Sequence, residues 1–318
     1  KSNAEAGDAA FQYELGLLYE RQPLLDPDAT QAIDWFEKAA AQQHPDADYH
    51  LGALYWHDKR VTSDFAKARQ YFEKAAANGD ELAKEHLGNM LLAGQGGPKD
   101  VTRAEALLSE QAEDNDFRQF YLGRRFFYGE DFPVDYVKAR YWLTKSFEAG
   151  NSFAQVTLAN LLLVDPQNDD DYLKAKNYYE ELITEWNEDA LSGLGKIHEQ
   201  GLGVSRQPIK ALMYYQLAAM SHSADHLKEL ARLSQQLGTL EIREAERLRD
   251  SFLHQYPIPT EQQAYFYGNK AESFLSDENP TREDLQAAEA WYIKSAELGN
   301  ENAMQELVDI YGAERLNK

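Results

Sequence analysis

The chain repeats two short segments, which read ADYHLGALY at residues 47–55 and KARQYFEKAA at residues 67–76. Each copy of the first segment has a leucine, then a small residue and, three positions later, usually a bulky one. The small residues are spaced by 36, 36, 35, 36 and 36 positions, at Gly16, Gly52, Gly88, Gly123, Ala159 and Gly195. Weaker copies follow near residues 231, 268 and 308. A period this constant predicts a repeat architecture.

Both segments predict α-helices. In the first segment, Ala47, Leu51 and Tyr55 are spaced by four, which places them on one face of a helix. The second segment has the same property with steps of three and four. Turn-forming residues such as Asn78-Gly79-Asp80 separate the units and suit the end of a helix. We therefore expect about nine helical pairs, six of them clear.

The glycine of each first helix predicts a close helix crossing. Glycine inside a helix costs about 1 kcal/mol relative to alanine, yet it recurs at the same position in successive units. We expect the Trp and Tyr rings of the second helix to fill the space above it. Because one helical pair is marginal alone, stacked neighbours must complete the core.

Composition excludes several functional classes. Lys plus Arg is 32 and Asp plus Glu is 54, so the formal charge is −22, and cysteine is absent. A chain without cysteine has no disulfide framework, thiolate zinc site or cysteine nucleophile. A chain this acidic lacks the clustered basic residues of a nucleic-acid-binding protein, and an anionic membrane surface would repel the chain.

The motifs resemble those of the Sel-1-like repeat family, a relative of the tetratricopeptide repeat. The family pattern AxxxLGxxY matches residues 47–55, its GxGV loop matches residues 201–204, and its final KAxx(W/Y)(Y/F)xKAA matches residues 67–76. The resemblance extends from about residue 7 to 220 and resumes weakly over 260–312.

That resemblance implies an all-α, right-handed α-α superhelix of helix-turn-helix repeats. We expect residues 1–254 to form repeats of this type. Residues 255–318 are expected to form degenerate repeats that continue the same superhelix, although Tyr256-Pro257-Ile258-Pro259 interrupts the period.

The resemblance also implies a non-enzymatic scaffold or adaptor that binds a protein or peptide through its concave face. In related repeats the first helix of each unit lines that face. Counting outward from each leucine–small-residue pair gives candidate contact residues, which are Tyr13, Tyr49, Trp56, His57, Asn89, Phe120, Arg124, Phe127, Tyr128 and Asn160. Arginine and large aromatics dominate binding hot spots. The alternative is that these rings fill space between adjacent first helices.

No residue pattern indicates catalysis, a metal or a cofactor. His222 and His226 are four apart, but the pattern lacks the glutamate of a metalloprotease helix and favours an ordinary helix start. Two further hypotheses stay open: an envelope-associated scaffold that binds polysaccharide through aromatic faces, and an enzyme whose carboxylates meet only in the fold.

The partner is expected to be basic or neutral at the contact, because the acidic chain repels acidic surfaces. The chain starts with Lys1, so we expect a segment to have been removed before it, which could be a signal or a lipid anchor. A bacterial periplasmic or envelope-associated location is expected, with the cytoplasm as the alternative. No apolar run approaches the ~20 residues of a membrane helix.

Overall fold

The structure, a computed structural model, describes residues 2–5, 7–22, 24, 29–276 and 281–307. Over these residues it contains α-helices, two short 3₁₀ segments and no strand, so the predicted all-α repeat fold is confirmed. The helices are α1 (Ser2–Glu5), α2 (Ala9–Arg21), α3 (Thr30–Ala41), α4 (Ala47–His57), α5 (Phe65–Ala77), α6 (Glu81–Ala93), α7 (Val101–Ala112), α8 (Asp116–Tyr128), α9 (Tyr136–Glu148), α10 (Ser152–Val164), α11 (Asp169–Glu181), α12 (Glu188–Gln200), α13 (Pro208–Ala218), α14 (Ala224–Ser234), α15 (Thr239–Gln255), α16 (Thr260–Ser273) and α17 (Arg282–Glu297). The 3₁₀ segments are Leu182–Glu185 and Ala219–Ser221, and residues 301–307 are also helical.

Helices pack in consecutive pairs at α2 and α3, α4 and α5, α6 and α7, α8 and α9, α12 and α13, and α16 and α17, whereas α14 and α15 both pack on α13. The even-numbered helix of each pair is called the first helix here and the odd-numbered one the second helix. Polar side chains cap the N-termini of many helices. Asp64 accepts a hydrogen bond from the backbone amide of Lys67 at 3.0 Å, and Asp80 accepts one from the backbone amide of Ala83 at 2.7 Å. Such caps satisfy amides that have no partner within the helix. Gly79, in the turn predicted at residues 78–80, has a positive φ of 92°, and Gly94 ends α6 in the left-handed conformation.

The glycines lie at the predicted close crossings. A Cβ atom on Gly52 would come within 2.8 Å of the Phe72 ring, and one on Gly195 within 2.5 Å of the Tyr215 ring. The sequence prediction of Trp and Tyr rings differs in detail from the structure. The residue above the glycine is the second member of each bulky pair, which is Phe36, Phe72, Leu108, Leu143 or Tyr215. The first member of each pair, such as Trp142, precedes it on the second helix and therefore lies on a different side of that helix.

The chain forms two compact units, Lys1–Ala154 and Gln155–Lys318. In the first unit, buried side chains such as Phe36, Leu51 and Leu54 share one core. In the second, Trp186 is 2% exposed and lies in a larger cluster. Phe266 of α16 belongs to that cluster, so the helix after the Pro-containing segment packs against the preceding repeats of the same unit.

Candidate functional site

Tyr13 and Tyr49, two of the predicted contact residues, are joined by a histidine between them. His50 lies 5.6 Å from the Tyr13 ring and 5.4 Å from the Tyr49 ring, measured between centroids. Its Nε2 is 3.2 Å from the Tyr13 hydroxyl, and its Nδ1 is 3.0 Å from the Glu20 carboxylate. The ring also stacks on Phe36 at 5.0 Å. His50 therefore ties α2, α3 and α4 together.

The next repeat has the same arrangement around His86. Its ring lies 4.8 Å from Trp56, 5.1 Å from Phe72 and 5.9 Å from Tyr49. The Trp56 indole also donates a hydrogen bond to the Gln95 side chain at 3.4 Å. Tyr49 and Trp56 thus face the following first helix, as the packing alternative describes.

Burial sets the protonation of these rings. It lowers the pKa of His86 below its usual value, and it raises the pKa of Tyr13 and of Tyr49. Burial thus favours the uncharged imidazole of His86 and the uncharged phenols of Tyr13 and Tyr49. His57, at the end of α4, is exposed and lies 5.2 Å from the Trp56 ring.

The position before the leucine of each first helix was missed by the sequence reasoning. His50 and His86 both occupy it, 36 residues apart. That shared register was visible in the sequence. Its meaning was not, because a histidine at one helix position does not reveal which neighbour it will face.

A second group of aromatic residues lies at the start of α8. Phe120 is 6.3 Å from Phe153, and Phe117 is 6.1 Å from the same ring. The guanidinium of Arg124 lies 6.0 Å from the Tyr121 ring and pairs with Glu130 at 3.1 Å. Three of these rings are strongly exposed: Phe117 at 51%, Tyr121 at 55% and Phe153 at 61%.

The exposed rings Phe117, Tyr121 and Phe153 were absent from the predicted set. Leu82, Phe117 and Phe153 each lie five residues before the leucine of their repeat, and all are at least half exposed. Apolar residues at that position of the repeat would have indicated Phe117 and Phe153, but not Tyr121, which directly precedes Leu122. The candidate contact positions that the sequence analysis counted from the leucine do not include the position five residues before it.

Phe127 and Tyr128 lie at the other end of α8. Phe127 is only 8% exposed and packs against Tyr136 at 6.0 Å. Tyr128 is 53% exposed and lies 4.7 Å from Phe127. Of this pair, Tyr128 offers the surface on which a partner could dock.

The two predicted asparagines are both hydrogen-bonded to neighbouring helices. Asn89 accepts from the Arg125 guanidinium at 2.9 Å, and Asn160 accepts from the Tyr179 hydroxyl at 2.6 Å. Arg125 also pairs with Asp131 at 3.2 Å.

Asn89 lines a cavity of about 170 Å³ between α6, α7 and α8. Its other lining residues are Glu85, Leu108, Gln111, Arg118, Tyr121, Leu122 and Arg125. This is smaller than the roughly 300–1,000 Å³ of sites for drug-sized ligands. The cavity is therefore suited to one side chain of a bound chain.

The paired histidines of the sequence analysis have separate partners. His226 contacts Ser221 at 3.2 Å and Asp189 at 3.3 Å, whereas His222 contacts the Met220 carbonyl at 2.9 Å. The hydrogen bond to His226 lowers the pKa of Asp189. Within the described residues, no three His, Asp or Glu side chains are arranged to hold a metal ion.

The described part of the chain contains no helix both long and apolar enough to cross a bilayer.

The sequence profile of the Sel1 repeat matches six segments, which are residues 9–44, 45–80, 82–116, 119–151, 188–223 and 263–300. The last match lies in the part that we expected to be degenerate. A comparison with curated protein sequences gives no match.

The solved structures that are similar to this chain include the following two. One is c5321, a protective antigen present in uropathogenic Escherichia coli strains displaying an SLR fold. It is 27% identical, with a TM-score of 0.52, and the match covers 98% of this chain and 66% of that one. The other is a Sel1 repeat protein from Oxalobacter formigenes, 22% identical, with a TM-score of 0.59. That match covers 97% of this chain and 89% of the other.

Proposed function

The chain belongs to the Sel1 repeat family, and from that premise we propose that it is a non-enzymatic scaffold that binds a protein or peptide through its first helices. Repeats of this family generally serve as scaffolds for protein interaction. The observation that carries the proposal for this chain is the exposed surface of α8 and the residue beside it. We call it the α8 surface, and it consists of Phe117, Tyr121, Arg124, Tyr128 and Phe153.

The α8 surface has the composition of a binding site. Its four rings are each more than half exposed, and the Arg124 side chain is 40% exposed. Large apolar groups left in water favour association, and Trp, Tyr and Arg are enriched among residues that dominate binding energy. The His50 and His86 contacts, in comparison, bury much of Tyr13, Tyr49 and Trp56 and leave less area for a partner.

The net charge of the chain also favours one class of partner. With a net charge of −22, the chain repels acidic proteins at long range. A partner that is basic or neutral over most of its contact escapes this repulsion. Salt should therefore weaken binding only where the partner is basic.

A matched pair of variants tests the proposal. The first carries Phe117→Ser, Tyr121→Ser and Phe153→Ser on the α8 surface. The control carries Val137→Ser and Tyr141→Ser, which are 77% and 54% exposed on the second helix α9. Partners captured by the wild type from fractionated bacterial cells should be lost from the first variant and retained by the control. Equal retention by both would refute binding at the α8 surface.

We also propose that the protein works in the bacterial periplasm or at the envelope. The proposal carries forward the compartment expected from the sequence, with the cytoplasm as its alternative. The same capture experiment, run separately on periplasmic, membrane and cytoplasmic fractions, tests it. Partners found only in the cytoplasmic fraction would contradict it.

A further inference from the structure

The pair formed by α16 and α17 departs from the packing of the earlier repeats. In those repeats the bulky residue above the glycine comes 20 positions after it, as Phe72 does after Gly52. In the last pair the corresponding residue is Tyr292, which follows Gly268 by 24 positions. A Cβ atom on Gly268 would meet polar side-chain atoms at 3.3 and 3.5 Å, and not the ring of Tyr292. The second-helix ring that covers the glycine elsewhere is therefore displaced from it here.

A cavity of about 310 Å³ lies at this point, between α16, α17 and the helical residues 301–307. It is lined by two tyrosines, three asparagines, one glutamine, two glutamates, Gly268 and Ala303. Its volume is at the lower end of the roughly 300–1,000 Å³ of small-ligand sites. All of these residues belong to the second compact unit, whereas the α8 surface belongs to the first.

A tyrosine hydroxyl in the wall of this cavity has no hydrogen-bond partner. Tyr292 lines the cavity and is only 2% exposed, and its hydroxyl makes no hydrogen bond within the described residues. Elsewhere in those residues some unpaired polar atoms are fully enclosed, but the Tyr292 hydroxyl is not one of them. The hydroxyl is therefore open to the cavity, and a ligand there can reach it.

Two carboxylates lie near the same hydroxyl. Glu272 of α16 and Glu306 of residues 301–307 both line the cavity, and both side chains are exposed. Burial raises the pKa of Tyr292 to about 12, and the negative charges of Glu272 and Glu306 contribute to the rise. A charge changes the pKa of a neighbouring group only at short range. The two acids therefore converge on the phenol from two different helices.

No basic side chain neutralises these acids inside the cavity. The described residues that line it include no lysine and no arginine. Lys270 of α16 and Lys294 of α17 lie instead over the Trp291 ring, at 3.9 and 4.1 Å from its centroid. The cavity thus presents two negative charges and a hydroxyl without a counter-charge.

We propose that this cavity binds a primary alkylammonium group, supplied by a lysine side chain or by a small free amine. An ammonium has three N–H donors and no acceptor. The carboxylates of Glu272 and Glu306 and the hydroxyl of Tyr292 offer three acceptors for them. The alkyl chain would lie against the ring of Tyr265, which is 44% exposed. The site does not depend on the function proposed for the α8 surface.

The polar wall around these acceptors is held in place by hydrogen bonds. Asn269 donates to the Ser221 carbonyl at 3.0 Å, and Asn300 donates to the Ser295 hydroxyl at 3.0 Å. Asn300 also accepts from the backbone amides of Asn302 and Ala303. These amides therefore fix the start of the helical residues 301–307, which carry Glu306.

Other classes of ligand fit the cavity less well. The two glutamates would repel a carboxylate or a phosphate. A neutral hydroxyl or amide would leave both negative charges uncompensated. A metal ion needs more side-chain ligands, and the described part of the chain has no group of three His, Asp or Glu placed to hold one. An organic cation satisfies all three acceptors.

Ligand-observed NMR titrations on the full chain test the proposal. The probes are Nα-acetyl-lysine methylamide, 1-aminobutane and Nα-acetyl-norleucine methylamide, which has the carbon chain of lysine without its ammonium. Both amines should bind. The norleucine compound should bind about tenfold more weakly than the blocked lysine or worse, because hydrogen bonds between charged groups are the strong ones.

A matched pair of double variants separates a local site from the general attraction of an acidic chain. The first combines Glu272→Gln and Glu306→Gln, which removes both carboxylates of the cavity. The control combines Glu261→Gln and Glu283→Gln, two exposed acids that do not line it. The net charge changes equally in both. The first should weaken binding of the blocked lysine by about tenfold or more, and the control by less than about twofold.

A third variant tests the hydroxyl. Tyr292→Phe keeps the buried ring, so it should remain folded, which thermal unfolding followed by circular dichroism checks. Since it loses one of the three acceptors, it should bind the blocked lysine about three- to tenfold more weakly than the wild type.

The outcomes are distinct. Binding of both amines supports the proposal, and tighter binding of the blocked lysine would assign the site to a lysine of a protein, whereas tighter binding of 1-aminobutane would assign it to a free amine. The proposal is overturned if neither amine binds, if the norleucine compound binds as well as the blocked lysine, if both double variants lose the same affinity, or if Tyr292→Phe binds like the wild type. None of these results bears on the α8 surface, which the capture experiment tests.

Discussion

Replacing His198 by phenylalanine should reduce the protein's sensitivity to acid. His198 is 2% exposed within α12 and stacks on Tyr214, with ring centroids 5.6 Å apart. Neither of its ring nitrogens has a hydrogen-bond partner in the described part of the chain. Equivalent positions in other repeats have apolar or aromatic residues, such as Phe126 and Leu162. The imidazole is therefore an uncharged, unpaired group in a core built for apolar side chains.

Burial determines the sign of the effect. It lowers the pKa of His198 to about 4, with smaller contributions from the positive charges of Lys210 and Lys176. In the unfolded chain the same imidazole has a pKa of about 6.5. Between these values the unfolded chain binds more protons than the folded one, so stability falls as the pH falls.

The size of the effect follows from the two pKa values. Between pH 7 and pH 5, His198 should remove about 2 kcal/mol from the free energy of unfolding, rising to about 3 kcal/mol below pH 4. His198→Phe should lack this loss, and it should also be more stable at pH 7 by about 1 kcal/mol, because the unpaired nitrogens are gone.

Urea denaturation followed by circular dichroism at pH 7 and pH 5 measures the difference between wild type and variant. Other titrating groups contribute equally to both proteins and cancel. His198→Gln is the matched control: it keeps a buried polar group but cannot titrate, so it should resemble His198→Phe in pH dependence and the wild type in stability at pH 7. If wild type and His198→Phe lose the same stability between the two pH values, the reasoning is wrong.

Two further predictions concern stability. Gly52→Ala should destabilise the protein by about 1 kcal/mol, because overpacking against Phe72 costs about 1–3 kcal/mol and outweighs a gain of about 1 kcal/mol in helix propensity. Gly268→Ala, whose Cβ would meet Asn300 Nδ2 at 3.3 Å and Ser295 Oγ at 3.5 Å, should destabilise the protein less than Gly52→Ala in the same urea assay. Arg60→Ala should cost about 1–3 kcal/mol, since Arg60 bonds to Asp58 and to two carbonyl oxygens of α2. The hydrogen bond from Arg60 lowers the pKa of Asp58, so the stabilisation from this pair should be lost as the pH falls below about 4. If wild type and Arg60→Ala lose the same stability over that pH range, this prediction is wrong.

The fold could be predicted from the sequence because its determinants are local and repeated. A leucine and a glycine at a constant period of about 36 residues define the unit, and spacings of three and four define its helices. The glycines also predicted the close crossings, since a glycine retained inside helix after helix indicates a neighbour at short range. The periodicity alone did not reveal that Phe72 rather than Tyr71 lies above Gly52.

The surfaces of the first helices could not be predicted in the same way. A count along one helix places residues on a face, but the neighbour of that face comes from a different repeat. Tyr49 and Trp56 were both predicted as contact residues, yet the residue that lies between them, His86, became evident only when α4 and α6 were placed side by side.

The sequence by itself determined the repeat, the helices and the charge of this protein, because each depends on composition or on residues a few positions apart. Tertiary structure decided which side chains remain in water and which polar groups lose their partners. The cavity at Gln111 requires three helices, and its amide is oriented by Glu81, thirty residues earlier in the chain. Packing between elements distant in sequence creates such groups, so their solvation is a property of the assembled fold.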